Sequence, residues 1–466
     1  MKRASAWLAA LAFAGAVHAA DEDRDLDLIP RTAPGAPQQA PTRDHDAGNR
    51  RLYVENAFML ASRRDDLLVP APSPLPPRWR ERLFADARAE WTLGPNALLA
   101  YSGRLNLGAG EDSGSHGRGN AAHDWREGYL TLQPRPRDYL DIGRVNVKSG
   151  VALGFNPTDF FKARAVVDPL TADPRTLRED RLGTLMIRGQ RVGEGGSLSA
   201  AYAPKVADPA PPGDQPGRGL RTLFDRTNAS DRWLVKASAP LGAGMDPEVL
   251  LHHEDGRWKA GLNVAQAVGQ SAVVYLEWAG GRRRGIVDEA LAFARRTGTI
   301  PPSAPDVIDQ GGDERFRTQL ALGASYTTEA KLTFNVEYHY NGAGLSRRDW
   351  GRWFAAGESA PAASPVTRTL WLVRSYAAER QEPLQRHAVF VRADWVDFLV
   401  PRLVLTGFVL ADAGDGSALL QLQADYAHSD TWSLGVLASG TTGGRRSSFG
   451  SLPQAASILF RATRYF

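Results

Sequence analysis

From about residue 51 to the C-terminus, apolar and polar positions alternate with a period of two. That period places successive side chains on opposite faces of a β-strand, which a helix does not do. In "RFRTQLALGASY", Phe316, Thr318, Leu320, Leu322, Ala324 and Tyr326 share one face, opposite Arg315, Arg317, Gln319, Gly323 and Ser325. A short turn at 328–331 follows. Then Leu332, Phe334, Val336, Tyr338 and Tyr340 alternate with Thr333, Asn335, Glu337, His339 and Asn341. The pair predicts an antiparallel hairpin with strands about ten residues long, apolar on one face and polar on the other.

The pattern recurs at 85–91, 99–107, 258–264, 274–278, 389–395 and 420–426, and more faintly at 248–254 and 403–412. Such strands exceed the usual length of about five or six residues in globular sheets and approach the ~9–11 of a tilted membrane strand. Counting gives about eighteen strands if residues 52–62 form the first. The stretch "RLYVENAFMLASRRDDLL" reads as that strand or as an amphipathic helix.

Short turns at 94–96, 134–137, 192–196, 241–245, 269–270, 328–331, 396–401 and 428–430 interleave with other links. Five of those links are long: 108–124, 149–183, 204–230, 280–314 and 342–385. Two more, 255–257 and 414–417, are short but fall among the long ones. Short periplasmic turns and longer outer loops are the asymmetry of bacterial outer-membrane barrels. Trp91, Trp258, Trp278, Tyr326, Tyr338, Tyr340, Trp395, Tyr426 and Trp432 lie near strand ends, compatible with interfacial girdles. The expected fold is all-β: a transmembrane, antiparallel up-and-down β-barrel of about eighteen strands with long extracellular loops. A soluble β-sandwich competes, but clean alternation over so many long strands argues against it.

The first residues follow other rules. Lys2 and Arg3 precede an apolar stretch to Val17, and the small residues Ala19 and Ala20 precede an acidic run. This is a secretory signal peptide, residues 1–20. Residues 21–50, acidic and then rich in Pro, Ala and Gln, read as a disordered periplasmic segment. The barrel occupies 51–466.

Composition narrows the reading. There is no cysteine, so no disulfide supports the fold. Removing Lys2 and Arg3 lowers the formal charge from +4 to +2, and no nucleic-acid partner is implied. Past residue 20 no apolar run approaches the ~18 residues of a spanning helix, which excludes a helical membrane protein but not a barrel.

The chain ends "SILFRATRYF", with Ile458, Phe460, Ala462 and Phe466 on one face. On that terminal strand and on 52–466 generally, the chain resembles Gram-negative outer-membrane porin-type barrels. It is similar in size and strand count to substrate-selective porins and to alginate-export-type barrels. The resemblance implies a terminal signal read by the barrel-assembly machinery, and a surrounding of outer-membrane lipid and lipopolysaccharide. Arg464 departs from the apolar pattern, although a long arginine near the interface can snorkel.

A barrel of this size encloses water. By parity, Arg88, Arg104, Arg144, Asn146, Lys148, Arg188, Lys259, Glu277, Arg317, Glu337 and Arg392 point inward. Rings of charge set pore selectivity, and the basic excess favours anions; the competing reading is a polar wall that merely holds water. Residues 149–183, with Asp159, Lys162 and Arg164, are the main site candidate, either folded inward as a constriction or exposed as a surface loop. Helices are expected over 287–298 and around Leu370, Val373 and Tyr376, where one caps or plugs the mouth.

Enzyme signals are poor. Ser115, His116, His123 and Asp124 offer a nucleophile–base set, but on a Gly-rich loop without a nucleophile elbow. His252 and His253 are adjacent, so on a strand they cannot share a metal. No catalytic residue, metal or cofactor is expected. The functional expectation is a passive channel for small polar or anionic solutes, or for an acidic polymer. The alternative is an outer-membrane enzyme or a structural surface barrel without conductance.

Overall fold

The computed structural model describes residues 50–71, 75–110, 120–167, 171–212, 219–242, 245–304, 306–308 and 310–466. The signal peptide, nearly all of the 21–50 segment, and Ser115 and His116 lie outside these residues.

Eighteen antiparallel strands run from Arg50–Arg63 to Gln454–Tyr465, each paired with its neighbour in sequence order. The last strand pairs back onto the first, Tyr53 opposite Tyr465 and Leu60 opposite Ile458. Closure satisfies every ladder N–H without water, the condition for crossing hydrocarbon. The ambiguous 52–62 stretch is therefore a strand. It pairs on both sides, and Glu55 and Ala57 are buried inside while Leu60 is exposed outside. A nineteenth, three-residue strand, Gly219–Arg221, pairs in parallel with Ala122–Asp124.

All the long links leave from one end, which also carries links 64–78 and 443–453, not counted from the sequence. The outward face is apolar along its length, with Val235, Leu251, Leu322, Val336, Leu422, Leu434 and Phe460 exposed. Trp233, Trp258, Phe316 and Tyr338 lie on this face toward the long-loop end, and Trp91, Tyr426 and Trp432 toward the short-turn end. A continuous apolar belt between aromatic girdles is a lipid-facing surface.

One strand is shorter than its alternation suggests. It ends at Val145, so Asn146 and Lys148 belong to the following loop rather than to the wall. The cause is local: the Asn146 N–H donates to the Glu127 side chain at 3.1 Å instead of continuing the ladder.

Among the described residues, five helices occupy the long-loop end: α1 (Pro174–Glu179), α2 (Phe224–Thr227), α3 (Ile286–Arg296), α4 (Arg347–Glu358) and α5 (Pro365–Glu379). The periodicity anticipated α3 and α5 but not α4. Ser346 and Asp349 form a capping box at its start, and Trp350, Trp353, Phe354 and Gly357 make its buried face. Gly357 is needed there, because a Cβ would lie 2.5 Å from Val69 of link 64–78.

Among the described residues, the largest apolar core joins α3, α4 and α5, with Ile286, Leu291, Trp353 and Leu370 buried in it. Arg374 of α5 lies 4.6–5.3 Å from the rings of Trp350, Trp353 and Trp371. It donates to Ser448 O at 3.0 Å and Ser451 Oγ at 2.6 Å, tying the helices to link 443–453. Trp371 Nε1 donates to Pro70 O at 2.7 Å. At its other end α5 meets the 146–183 loop, where Arg164 Nε lies 3.1 Å from Glu379. The helix thus runs across the long-loop end as a strap.

Candidate permeation pathway

The loop 146–183 leaves and re-enters the same wall, between Asp138–Val145 and Thr184–Gly193. Its contacts lie on the far side of the barrel. The N–H groups of Leu153 and Gly154 donate to the Glu337 carboxylate at 2.6 and 2.9 Å. The Ala152 N–H donates to Glu277 at 2.5 Å, and Asn156 Nδ2 and Thr158 Oγ1 donate to the same carboxylate at 3.1 and 3.2 Å. Further on, the Ala172 N–H donates to Gln421 Oε1 at 3.2 Å, and Asp173 pairs with Arg392. The loop therefore folds inward and spans the lumen.

Carboxylates buried from water must be met by donors. Glu277 and Glu337 are 0 % and 1 % exposed, and the loop backbone meets that need. Glu337 also accepts from Tyr275 Oη at 2.7 Å and lies 2.6 Å from His339 Nε2. The near flank of the loop is held by charge. Asp180 lies 3.0 Å from Arg104 and 3.2 Å from Arg126, and both arginines also grip Asp86, at 2.8 and 2.6 Å. Inside the loop, Arg181 forks onto Asp159 at 2.7 and 3.1 Å and takes Asn146 Oδ1 at 2.7 Å. Phe160 stacks on His252 with ring centroids 4.7 Å apart. Lys162 donates to Asn156 O at 2.5 Å and lies 4.3 Å from the Phe155 ring. Burial pushes its ammonium down to about 8, against the pull of Asp159, Glu382 and Glu277.

The expected wall of free charge takes a different form. Arg188 lies 2.6 Å from Asp141, Arg392 2.7 Å from Asp394 and Arg88 3.6 Å from Glu90, while Lys148 pairs with Glu179. Each of these cations is compensated. Arg144, Glu277 and Glu337 point inward, and all three side chains are covered by protein. Arg144 donates to Gly183 O at 2.9 Å and Trp125 O at 2.7 Å, and it also engages Thr222 O. Arg317 is likewise used by backbone, at 3.1 Å from both Arg283 O and Gly342 O. Asp159 and Asn146 serve the internal order of the loop. His123 and Asp124 do not form a base–acid set, because they face opposite ways. His123 bonds Tyr101 Oη at 2.8 Å on the outward side, and Asp124 pairs with Arg221 at 2.5 Å inside.

Positive charge gathers in excess elsewhere, with Arg164 paired to Glu379, Arg257 and Arg284 to Glu314, Arg283 to Glu289 and Glu382, Arg296 to Asp255 and Arg380 to Glu382. At the long-loop end a cavity of about 310 Å³ is lined by Arg164, Arg226, Arg232, Arg257, Arg283, Arg284, Arg296, Arg380 and Lys259, against Glu254, Asp255 and Glu289. Only Lys259 and Arg164 of these cations were singled out from the sequence. The others come from separate strands, links and helices, and no local spacing announces their convergence.

Toward the terminus, Ile458, Phe460, Ala462, Arg464 and Phe466 all face outward, and the Phe466 N–H donates to Leu52 O at 3.0 Å. The Arg464 guanidinium lies 5.6 Å from the Trp432 ring and 5.1 Å from the Phe466 ring, which accommodates a cation in the apolar row.

No protein-family model matches the chain, and no curated protein matches it in sequence. Among solved structures, OpdL of Pseudomonas aeruginosa superposes with a TM-score of 0.51 at 10% identity, covering 90% of this chain and 98% of that one. OccK8 (OprE) of the same organism gives 0.49 at 10% identity over 90% and 97%. The outer membrane protein OprD, also from that organism, gives 0.44 at 12% over 90% and 92%. At such identities the likeness is one of fold, and it agrees with the belt, the closure and the strand count. The chain is a closed, antiparallel, eighteen-stranded β-barrel, the fold it shares with OpdL.

Proposed function

We propose that this protein is an outer-membrane channel for passive passage of small polar solutes, with a preference for anions, and that its long-loop end faces outward from the cell. The observation that carries the reading is the cavity at that end, where eight arginines and Lys259 outnumber the six carboxylates that line it or pair with its arginines, Glu254, Asp255, Glu289, Glu314, Glu379 and Glu382. A cationic, low-dielectric mouth concentrates anions and speeds their entry. Below it, the loop spanning the lumen narrows the path, and the paired charges on the wall supply polarity without a deep trap. The narrowing loop and the α5 strap favour small solutes over a polymer.

Planar-bilayer recording of the purified barrel tests this. Stepwise conductance, with a reversal potential set by the anion in a salt gradient, is the expected result. Absence of steps overturns the channel reading, and a strong cation preference overturns the anion preference.

A further inference from the structure

On the outside of the barrel, just above the girdle residue Tyr338, α4 overhangs the lipid-facing wall and encloses a cavity of about 670 Å³. Its floor is Tyr338 and His387, both outward-facing and joined by a 2.6 Å hydrogen bond between Tyr338 Oη and His387 Nδ1. Leu345, Trp350 and Phe354 line its inner side, and Arg347, Arg386 and Arg446 stand on its rim.

The acids around it are already engaged. The Gly414 N–H reaches Asp412 at 2.7 Å, while the Ser417 and Ser448 N–H groups reach Asp415 at 2.8 and 2.6 Å. Glu358 is taken by Arg446 at 2.5 Å. Arg347 differs. Its Nε donates to Gly414 O at 2.6 Å, a neutral acceptor, and among the described residues no carboxylate lies within 4.0 Å of its guanidinium. Arg348, exposed beside it on α4, likewise has no ion pair among the described residues. Arg386 donates to Gly344 O at 3.3 Å and stands 3.9 Å from the capping Asp349.

An apolar pocket at girdle height, roofed by an arginine that makes no ion pair within 4.0 Å among the described residues, with Asp412 and Asp415 of the lining already held by backbone N–H groups, matches one kind of molecule. We infer that the groove under α4 binds a phosphate-bearing acyl lipid of the outer leaflet. The phosphate sits at Arg347 and Arg386, and an acyl chain lies against Tyr338, Trp350 and Phe354. Arginine suits this role because its planar fork matches phosphate oxygens. The inference rests on the reading of the chain as an outer-membrane barrel, but not on what it conducts.

Native mass spectrometry of the full, detergent-purified barrel tests it. Three probes are titrated: a diphosphorylated, acylated glucosamine disaccharide (lipid A), the same lipid without phosphates, and inorganic phosphate. The wild type should retain the phosphorylated lipid, and Arg347→Ala should weaken retention about tenfold, the loss expected for one charge-assisted contact. The dephosphorylated lipid should bind the wild type no better than the phosphorylated one binds the variant. Arg348→Glu replaces an exposed side chain, leaves the fold untouched and should also weaken retention by adding repulsion. Equal retention by wild type and both variants overturns the inference, as does indifference to the phosphates. Binding of inorganic phosphate as tight as that of the lipid also overturns it, by assigning a simple anion site. Bilayer steps are measured on the same samples. Lipid retention without conductance would sink the channel reading alone, and conductance without phosphate-dependent retention would sink this inference alone.

Discussion

Glu337, on one wall of the barrel, accepts the backbone N–H of Leu153 at 2.6 Å, and Leu153 belongs to a loop rooted in the opposite wall. With the Gly154 bond to the same carboxylate and the Ala152 bond to Glu277, this fixes where the loop crosses the lumen. Hydrogen bonds to an ionised group contribute about 1.5–3 kcal/mol each. Glu337→Ala and Glu277→Ala should therefore release the loop, raising single-channel conductance and open-channel noise while the barrel still folds. Glu337→Gln, which keeps an acceptor oxygen, should fall between. Recordings in which both alanine variants conduct like the wild type would place the constriction elsewhere.

The cationic mouth makes a second expectation quantitative. Arg284 and Arg296 lie in the cavity at the long-loop end and are partly exposed, with carboxylates at 3.7 and 3.4 Å. Arg284→Glu combined with Arg296→Glu should lower the anion-to-cation permeability ratio several-fold at low salt. The difference should nearly vanish at 1 M salt, where the Debye length is ~3 Å. A ratio that ignores both substitutions at low salt would remove the mouth from the pathway.

Lys162 gives the channel a pH dependence with a definite sign. Its ammonium is ordinarily near 10.5, and burial in the latched loop lowers it to about 8. Below pH 8 the residue is charged whether the loop is latched or released, so the latched form bears the full cost of burying that charge. Between pH 8 and 10.5 the latched form sheds its proton and the released form does not, so the cost declines as pH rises. Loop-opening noise should be larger at pH 7 than at pH 10. Lys162→Met should flatten the profile, and an unchanged profile in that variant would assign the effect to another group.

Assembly provides a fourth test. The Phe466 N–H completes the seam to Leu52 O at 3.0 Å, and its ring packs under the Arg464 guanidinium. We expect deletion of Phe466 to lower the amount of heat-modifiable barrel in the outer membrane, through poorer handling by the assembly machinery. Channels that do insert should conduct normally. Full membrane levels after the deletion would count against a signal at this position.

The wall was readable because alternation survives averaging over many residues, and each strand such as Leu332–Asn341 carries its own period. The latch was not. Glu277 and Glu337 occupy inward positions like those of Arg188 or Arg392, and nothing in their neighbourhood separates a covered carboxylate from one in water. Arg144 shows the same limit: parity gave its direction, but Gly183, Trp125 and Thr222, which enclose it, lie on three other segments. Helix α4 did carry a local signal, the Ser346–Asp349 box ahead of Trp350, Trp353 and Phe354.

The crossing loop also imposes an order in time. Leu153 meets a residue 184 positions later in the chain, and Thr171 meets Gln421, 250 positions later. Neither contact can form until the strands carrying those partners are in place, and closing such long loops is entropically costly before the wall fixes both ends. The newly closed barrel must therefore pass through a stage in which its bore is wide and unguarded, and it becomes selective only when an early-made loop finds walls made long after it.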